Sequence, residues 1–346
     1  MQIAVIAILA IVVVSVVIYF YLFYPQQRMP IGEPVEVKTV QPEKYYDDCL
    51  HPCIRYCEAT GKYYMAQSPY YGWQNAIENP MYYESDDYLG WKEGYLIADT
   101  PDEGFNTDPC IFVDKSGNVT YIWRESKTKL SYSLNSERVI VGGTIKNGEL
   151  LKKQIFAVNT WKEGDTVQCP ILIERDGAYY IYAAWYQYEP ERKNRGIAIW
   201  RSTSVQEPDF ELVNTVPLEA ILTVDRMAQT RLFGHLLFVP KPLRHDMWHF
   251  DLFEYERKLY MVSVAEKGDN IMLSVADDWA HFKTYRKPLV NNHYTENYCG
   301  YRQYYYKPTA FVKDETLHLF YTANTKDDDN RNQLFHTSIP VKQILK

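Results

Sequence analysis

Five phrases of one shape recur along this chain, and they restrict its fold more than anything else in it. "YCEATGKYYMAQSPY" (56–70), "FVDKSGNVTYIWRES" (112–126), "IERDGAYYIYAAWYQ" (173–187), "FEYERKLYMVSVAEK" (253–267) and "FVKDETLHLFYTANT" (311–325) each read as the end of a strand, a tight turn and a second strand. The strands before the turns open "HPCIRY", "DPCIFV", "CPILIE", "HFDLFE" and "KPTAFV". Pro52, Pro109, Pro170, Phe250 and Pro308 then occupy equivalent positions, at steps of 57, 61, 80 and 58 residues. A third alternating segment follows each pair: "NPMYYES" (79–85), "KLSYSLN" (129–135), "GIAIWRS" (196–202), "NIMLSVA" (270–276) and "QLFHTSI" (333–339). Alternation of apolar and polar residues marks strands. A repeat of this length, each unit a small antiparallel sheet, predicts a propeller. Helical repeats fail because no unit sustains a 3.6-residue period. The fold class expected is all-β, a five-bladed β-propeller over 48–346. The long step places an insertion between 204 and 247.

Composition supports this reading. The 346 residues are 46% hydrophobic and include 31 Tyr, 14 Phe and 8 Trp, residues that suit pleated, half-buried surfaces. Aromatic faces also stack on sugar rings. The net charge is −7 with no basic patch, which argues against nucleic acid as the main partner. Cys49, Cys53, Cys57, Cys110, Cys169 and Cys299 form no Cys-x-x-Cys pair, and no His stands at zinc-finger spacing. Neither a metal site nor a cofactor is therefore expected.

"IAVIAILAIVVVSVVIYFYLFY" (3–24) is an uncharged run long enough to span a bilayer, with aromatics at its C-terminal end. It lacks the basic start and small-residue cleavage site of a signal peptide. The expectation is a single transmembrane helix over 1–25, a Pro-containing linker over 26–47, and a single-pass membrane protein. Arg28, Lys38 and Lys44 after the run lean toward a cytoplasmic propeller. The ligand argued below leans toward an extracytoplasmic one.

In a propeller the first strand of every blade lines the central channel. The five openings therefore bring His51, Asp108, Gln168 with Cys169, His249 with Asp251, and Tyr306 with Lys307 to one end of it. Polar groups on innermost strands are costly to desolvate unless they have work to do. A shared site is the reading they support.

On these phrases the chain resembles the five-bladed glycoside hydrolases that include invertases, levanases, arabinanases and xylosidases. "TDPCIF" (107–112) is similar to their second-blade Asp-Pro motif, and Asp108 matches its Asp. "VQCPILI" (167–173) is similar to the third-blade Glu-Cys-Pro motif, but Gln168 stands where the general acid would be. "LHPCIRY" (50–56) has His51 where the first-blade Asp would be. A closer resemblance is to one branch of this superfamily, carried by "HPCI", "SPYYGWQNAIENP" (68–80), "TDPCIF", "WRE" (123–125), "WHFDLFE" (248–254) and "YYKPTAF" (305–311). That branch implies glycan handling without a defined reaction.

Glycoside cleavage usually needs one protonated and one ionised carboxyl group flanking the bond. Asp108, with Asp251 or Glu78 as its partner, is the candidate catalytic set. His51, Gln168, His249, Trp248, Tyr306 and Lys307 are candidate substrate-binding residues. His249 and Asp251 alternate on one face, so they can serve as acid and orienting base, as metal ligands, or as a structural pair. Cys169 reads as a packed, inert thiol. Two functions follow: a divergent glycoside hydrolase acting on a glycan, or a non-catalytic, membrane-anchored carbohydrate-binding propeller.

Overall fold

The computed structural model describes residues 10–15, 35–40, 49–69, 78–102, 104–126, 138–158, 165–187, 193–217, 225–232, 235–242, 247, 249–265, 270–285, 288–291, 305–324 and 332–344. They form a five-bladed propeller. Blade one orders Leu50–Cys57, Lys62–Ser68, Met81–Ser85 and Tyr95–Leu96 outward from the axis. Blade two orders Phe105–Val113, Val119–Ser126 and Arg138–Lys146, with Glu149–Leu150 and Gln154–Val158 both on the last of these. Blade three has Asp165–Arg175, Ala178–Gln187, Lys193–Ser202 and Glu211–Pro217. Blade four has Phe250–Tyr255, Lys258–Ala265 and Asn270–Ala276, which pairs with both Lys283–Thr284 and Val290–Asn291. Blade five has Thr309–Lys313, Thr316–Asn324 and Asn332–Pro340. Each innermost strand touches that of the next blade, and the fifth touches the first, so the ring is closed.

Three details depart from the sequence reading. First, the outer strand of blade five comes from the N-terminal side. Val35–Val40, expected within a linker, lies antiparallel to Asn332–Pro340, with Val35 opposite His336, and parallel to Gly90–Glu93, which thereby joins the blade-five sheet. Second, the third strand of blade two is Arg138–Lys146; the expected "KLSYSLN" lies outside the described residues. Third, part of the expected insertion is the outer strand of blade three, Glu211–Pro217. What remains includes a separate hairpin, Asp225–Leu232 with His235–Pro242.

The expected membrane span is corrected. Residues 10–15 are a short helix, and among the described residues no helix is long and apolar enough to cross a membrane. Hydropathy supplied an apolar run, but a span needs about 20 continuous helical residues. The remainder of that run lies outside the described residues. The single-pass placement is overturned by this finding, and the membrane as a partner has no support among the described residues.

Tight hairpins set the register within the blades. Asp176–Gly177, Glu256–Arg257 and Asp314–Glu315 all have positive φ at both central positions, the backbone of a two-residue turn whose twist matches its strands. Buried aliphatic and aromatic side chains fill the spaces between the sheets. One cluster runs through blades one to four, and two others join blade five to blade four and to blade one. This packing holds the innermost strands rigidly around the axis.

Candidate active site

A shared backbone distortion aims the site residues. In blades one to three the ladder shifts register at the same place: between Leu50 and Cys53, Thr107 and Cys110, and Gln168 and Ile171. Each irregularity contains a proline, which has no N–H to give the ladder and is tolerated at bulges. The residue before each proline is left-handed: His51 at φ 54°, Asp108 at 51° and Cys169 at 49°. Such a conformation costs about 1–3 kcal/mol for a non-glycine residue and persists only where its surroundings enforce it. A bulge re-aims the side chain it carries. Here three blades turn one side chain each toward the axis, and His249 and Lys307 occupy the matching positions of blades four and five.

These groups meet in a buried cluster. His51 Nε2 is 3.3 Å from Asp108 Oδ1, and its Nδ1 is 3.1 Å from Glu78 Oε1 and 3.0 Å from Ser68 Oγ. His249 Nδ1 is 4.0 Å from Asp108 Oδ1 and 2.7 Å from Cys169 Sγ. Cys169 Sγ is 3.9 Å from the same Asp108 oxygen. Arg124 Nε pairs with Asp108 Oδ2 at 2.9 Å. Lys307, fully buried, donates from Nζ to the Pro109 carbonyl at 2.8 Å. The half-exposed Tyr306 packs against both imidazoles, with ring centroids 5.5 Å from His51 and 4.5 Å from His249.

Glu78 is held from both sides. Thr107 donates its hydroxyl to Glu78 Oε1. Its neighbour Asn79 is locked by amide bonds to Asp99 at 3.1 Å and from Asn106 at 3.1 Å, and Asn106 in turn accepts from Trp123 Nε1 at 3.0 Å.

Electrostatics follow from burial and neighbours. Burial alone would raise the Asp108 carboxyl, but Arg124, His51, His249 and Lys307 outweigh it and hold that carboxyl well below the usual range. Burial, then the charge of His51, pushes the His249 imidazole well below its ordinary value. Burial, then Asp108, pushes the Cys169 thiol well above its own. Asp108 is thus a permanent anion beside a neutral imidazole and a neutral thiol.

Asp251 belongs to a second layer, deeper in the channel. Both of its oxygens are 2.7 Å from the Arg55 guanidinium, and Thr309 Oγ1 donates to one of them at 2.5 Å. Cys53 and Cys110 touch in the same layer, with sulfurs 3.4 Å apart.

The structure gathers His51, Asp108, His249, Tyr306 and Lys307 from the aligned openings, together with Glu78 from the loop before the third strand of blade one. Gln168 is buried beside Cys169 and lies opposite Ala184 in the ladder. Trp248 lies outside the described residues. Arg124 was missed, and Cys169, named in the blade-three opening, was read as an inert packed thiol. Strand pairing sets Arg124 opposite Thr107, one residue from Asp108. Knowledge of that register was the signal that would have found it.

The donor set also suits a cation. Ligand atoms of His51, Asp108 and His249 all lie within 4.8 Å of one another. Behind His51 stands a carboxylate, Glu78, on the other ring nitrogen, the usual support of a metal-binding imidazole.

No protein-family model matches the chain, and no curated protein matches it either. Solved structures do match in fold. An N-acetylgalactosamine deacetylase from F. plautii, in complex with blood group B trisaccharide, is 12% identical, with 91% of this chain and 96% of that one covered at a TM-score of 0.64. A family 117 glycoside hydrolase from the marine bacterium Zobellia galactanivorans is 13% identical, covering 90% and 91% at 0.57. A GH43_1 enzyme from Xanthomonas citri, complexed with xylose, is 10% identical, covering 89% and 90% at 0.59. The chain has the five-bladed propeller fold found in glycoside hydrolases.

Proposed function

We propose that this propeller is a glycan-directed hydrolase that removes an acyl group from an amino sugar, assisted by a divalent metal ion held by His51, Asp108 and His249. The observation that carries this reading is the single imidazole shared by two carboxylates. Glu78 and Asp108 contact opposite nitrogens of His51, at 3.1 and 3.3 Å. The ring fills the space that a sugar or a water would need between a glycosidase's two carboxyl groups. Asp251 offers no substitute, since Arg55 and Thr309 occupy its oxygens.

The residues present fit a metal ion. His51 presents Nδ1 to Glu78 and Nε2 to an Asp108 oxygen. A positive charge between Nε2 and that oxygen satisfies both atoms, and in this reading a divalent ion would supply it. When bound, a divalent ion supplies Lewis acidity toward a carbonyl oxygen.

The chain's own residues do the rest. Glu78 and Ser68 orient His51. Arg124 fixes the second Asp108 oxygen, leaving the first to face the cluster. Tyr306, the half-exposed member, is the surface a sugar ring meets as it enters. The fold likeness to a deacetylase and to glycoside hydrolases is in keeping with a sugar substrate.

The test offers N-acetylated amino-sugar glycans to the purified full chain with added zinc, manganese or calcium. Free acetate and new reducing ends are measured together. Acetate release that EDTA abolishes, and that His249→Ala loses, supports the proposal. New reducing ends without acetate would restore the glycosidase reading, and binding without either product would leave a lectin-like module; both overturn it.

A further inference from the structure

The equivalent positions of blades one to four present, in order, a nitrogen (His51), an oxygen (Asp108), a sulfur (Cys169) and a nitrogen (His249). The first three sit on the same left-handed, pre-proline bulge. Blade five breaks the series with Lys307, a cation that cannot ligate and is turned to the Pro109 carbonyl. We propose that Cys169 is the fourth donor of the site, so that each of four blades supplies one ligand atom, and that the resident ion is zinc or a similarly thiophilic divalent metal. This rests on the metal-centre reading above and specifies its ion.

The compact donor group is His51, Asp108 and His249, and Cys169 adjoins it through Asp108 and His249; one separation matches a tetrahedral edge, two are longer and one is shorter, so closure on an ion takes small side-chain adjustments. Zinc bond lengths of about 2.0–2.3 Å to N, O and S place neighbouring donors roughly 3.3–3.7 Å apart. His51 Nε2 to Asp108 Oδ1 is 3.3 Å, Cys169 Sγ to Asp108 Oδ1 is 3.9 Å, and His249 Nδ1 to Asp108 Oδ1 is 4.0 Å. Only Cys169 to His249, at 2.7 Å, is shorter than a tetrahedral edge, and a side-chain adjustment of less than about 1 Å restores it. Two imidazoles and a thiolate make a borderline-soft donor set. Calcium and magnesium prefer cages of hard oxygens. On coordination the S–H bond is replaced by the S–metal bond, and the proton leaves to solvent.

Cys169 thereby acquires a role that its burial alone would not suggest. Buried thiols in apolar surroundings are usually inert. This one touches an imidazole and a carboxyl group, not a hydrocarbon wall.

Cobalt(II) titration of the metal-free full chain tests this. The experiment uses a Cys53→Ser, Cys110→Ser background so that the deeper thiols do not contribute. The expected result is cobalt binding with an intense near-ultraviolet thiolate-to-cobalt band. Cys169→Ser and Cys169→Ala should lose that band and bind cobalt about tenfold or more weakly. Circular dichroism of both variants confirms that they fold. Cobalt binding without a thiolate band in the parent would overturn the role of Cys169 and leave the three-residue centre standing. No cobalt binding in the parent, or loss in His249→Ala of nothing, would overturn the metal-centre reading itself.

Discussion

At the scale of single residues, two aspartates in the channel have opposite characters. Asp108 faces histidines, a thiol and Arg124, whereas Asp251 is consumed by Arg55 and Thr309. Replacing Asp251 by Asn leaves the partly buried Arg55 guanidinium without its counter-charge, and breaking such a pair costs up to about 3 kcal/mol. Urea unfolding should show that loss for Asp251→Asn; a change below about 1 kcal/mol would mean that Arg55 finds another partner. Asn79 makes a smaller contribution of a similar kind. Asn79→Ala leaves the Asn106 and Asp99 groups partly unsatisfied, with an expected cost of about 1–3 kcal/mol in the same measurement. The X-Pro spacing made His51, Asp108 and Lys307 legible, because equal spacing implies equal position. It left Gln168 and Cys169 unresolved, because one residue of slip swaps the side of the strand a residue faces and the bulge is invisible in the letters. Arg124 was hidden for another reason: its nearness to Asp108 comes from cross-strand register, not from sequence distance.

At the scale of elements, blade five contains a histidine pair that makes it sensitive to acid. His318 Nδ1 lies 3.0 Å from His336 Nε2, among Tyr88, Phe311 and Phe320. Burial, then Lys313, brings His318 down to about 4. Burial, then His318, brings His336 down to about 3. Folding keeps both rings neutral, while the unfolded chain takes up protons near the ordinary histidine value of about 6.5. Their contribution is therefore complete above that value and is lost as pH falls from there through 4 and 3. Urea midpoints between neutral pH and mild acid should fall steeply, and His336→Phe should flatten the slope; an unchanged slope would remove the pair from the explanation. The hairpin Glu256–Arg257 gives a prediction of opposite sign. Both residues are left-handed without being glycine, at φ 50° and 63°. Arg257→Gly relieves that strain but loosens the unfolded chain, for a net gain of about 0.5–1 kcal/mol read from thermal unfolding. Turns with a Gly, such as that at Gly177, were legible from the sequence. The Glu-Arg and Asp-Glu turns were placed only because the repeat required a hairpin there.

At the scale of the whole molecule, the ring closes with a strand from near the beginning of the chain laid on one from near its end. Val35–Val40 pairs with Asn332–Pro340, a contact between segments almost 300 residues apart. No local pattern announces such a partner, and three prolines nearby favoured a linker. Five blades were legible because their hairpins are local; the closure was not, because it is the longest-range contact in the ring. Deleting residues through Val40 should expose the edge of Asn332–Pro340 and cost on the order of 2–5 kcal/mol in lost ladder bonds and packing. Exposed edges also invite strand pairing between molecules. Thermal unfolding and light scattering of the truncated chain check both effects; an unaltered melting curve would show that the ring holds without this closure.

The equivalent positions that converge on the axis lie on separate blades, and that has a thermodynamic corollary. An ion gripped by four of them acts as a hoop around the barrel of sheets, since no blade can tilt outward without surrendering a donor. At a free concentration a hundredfold above its dissociation constant, such an ion would stabilise the folded state by about 2.7 kcal/mol. Amide-exchange protection should then rise in blades one through four together, while blade five, which contributes no donor, would register the ion through its neighbours alone.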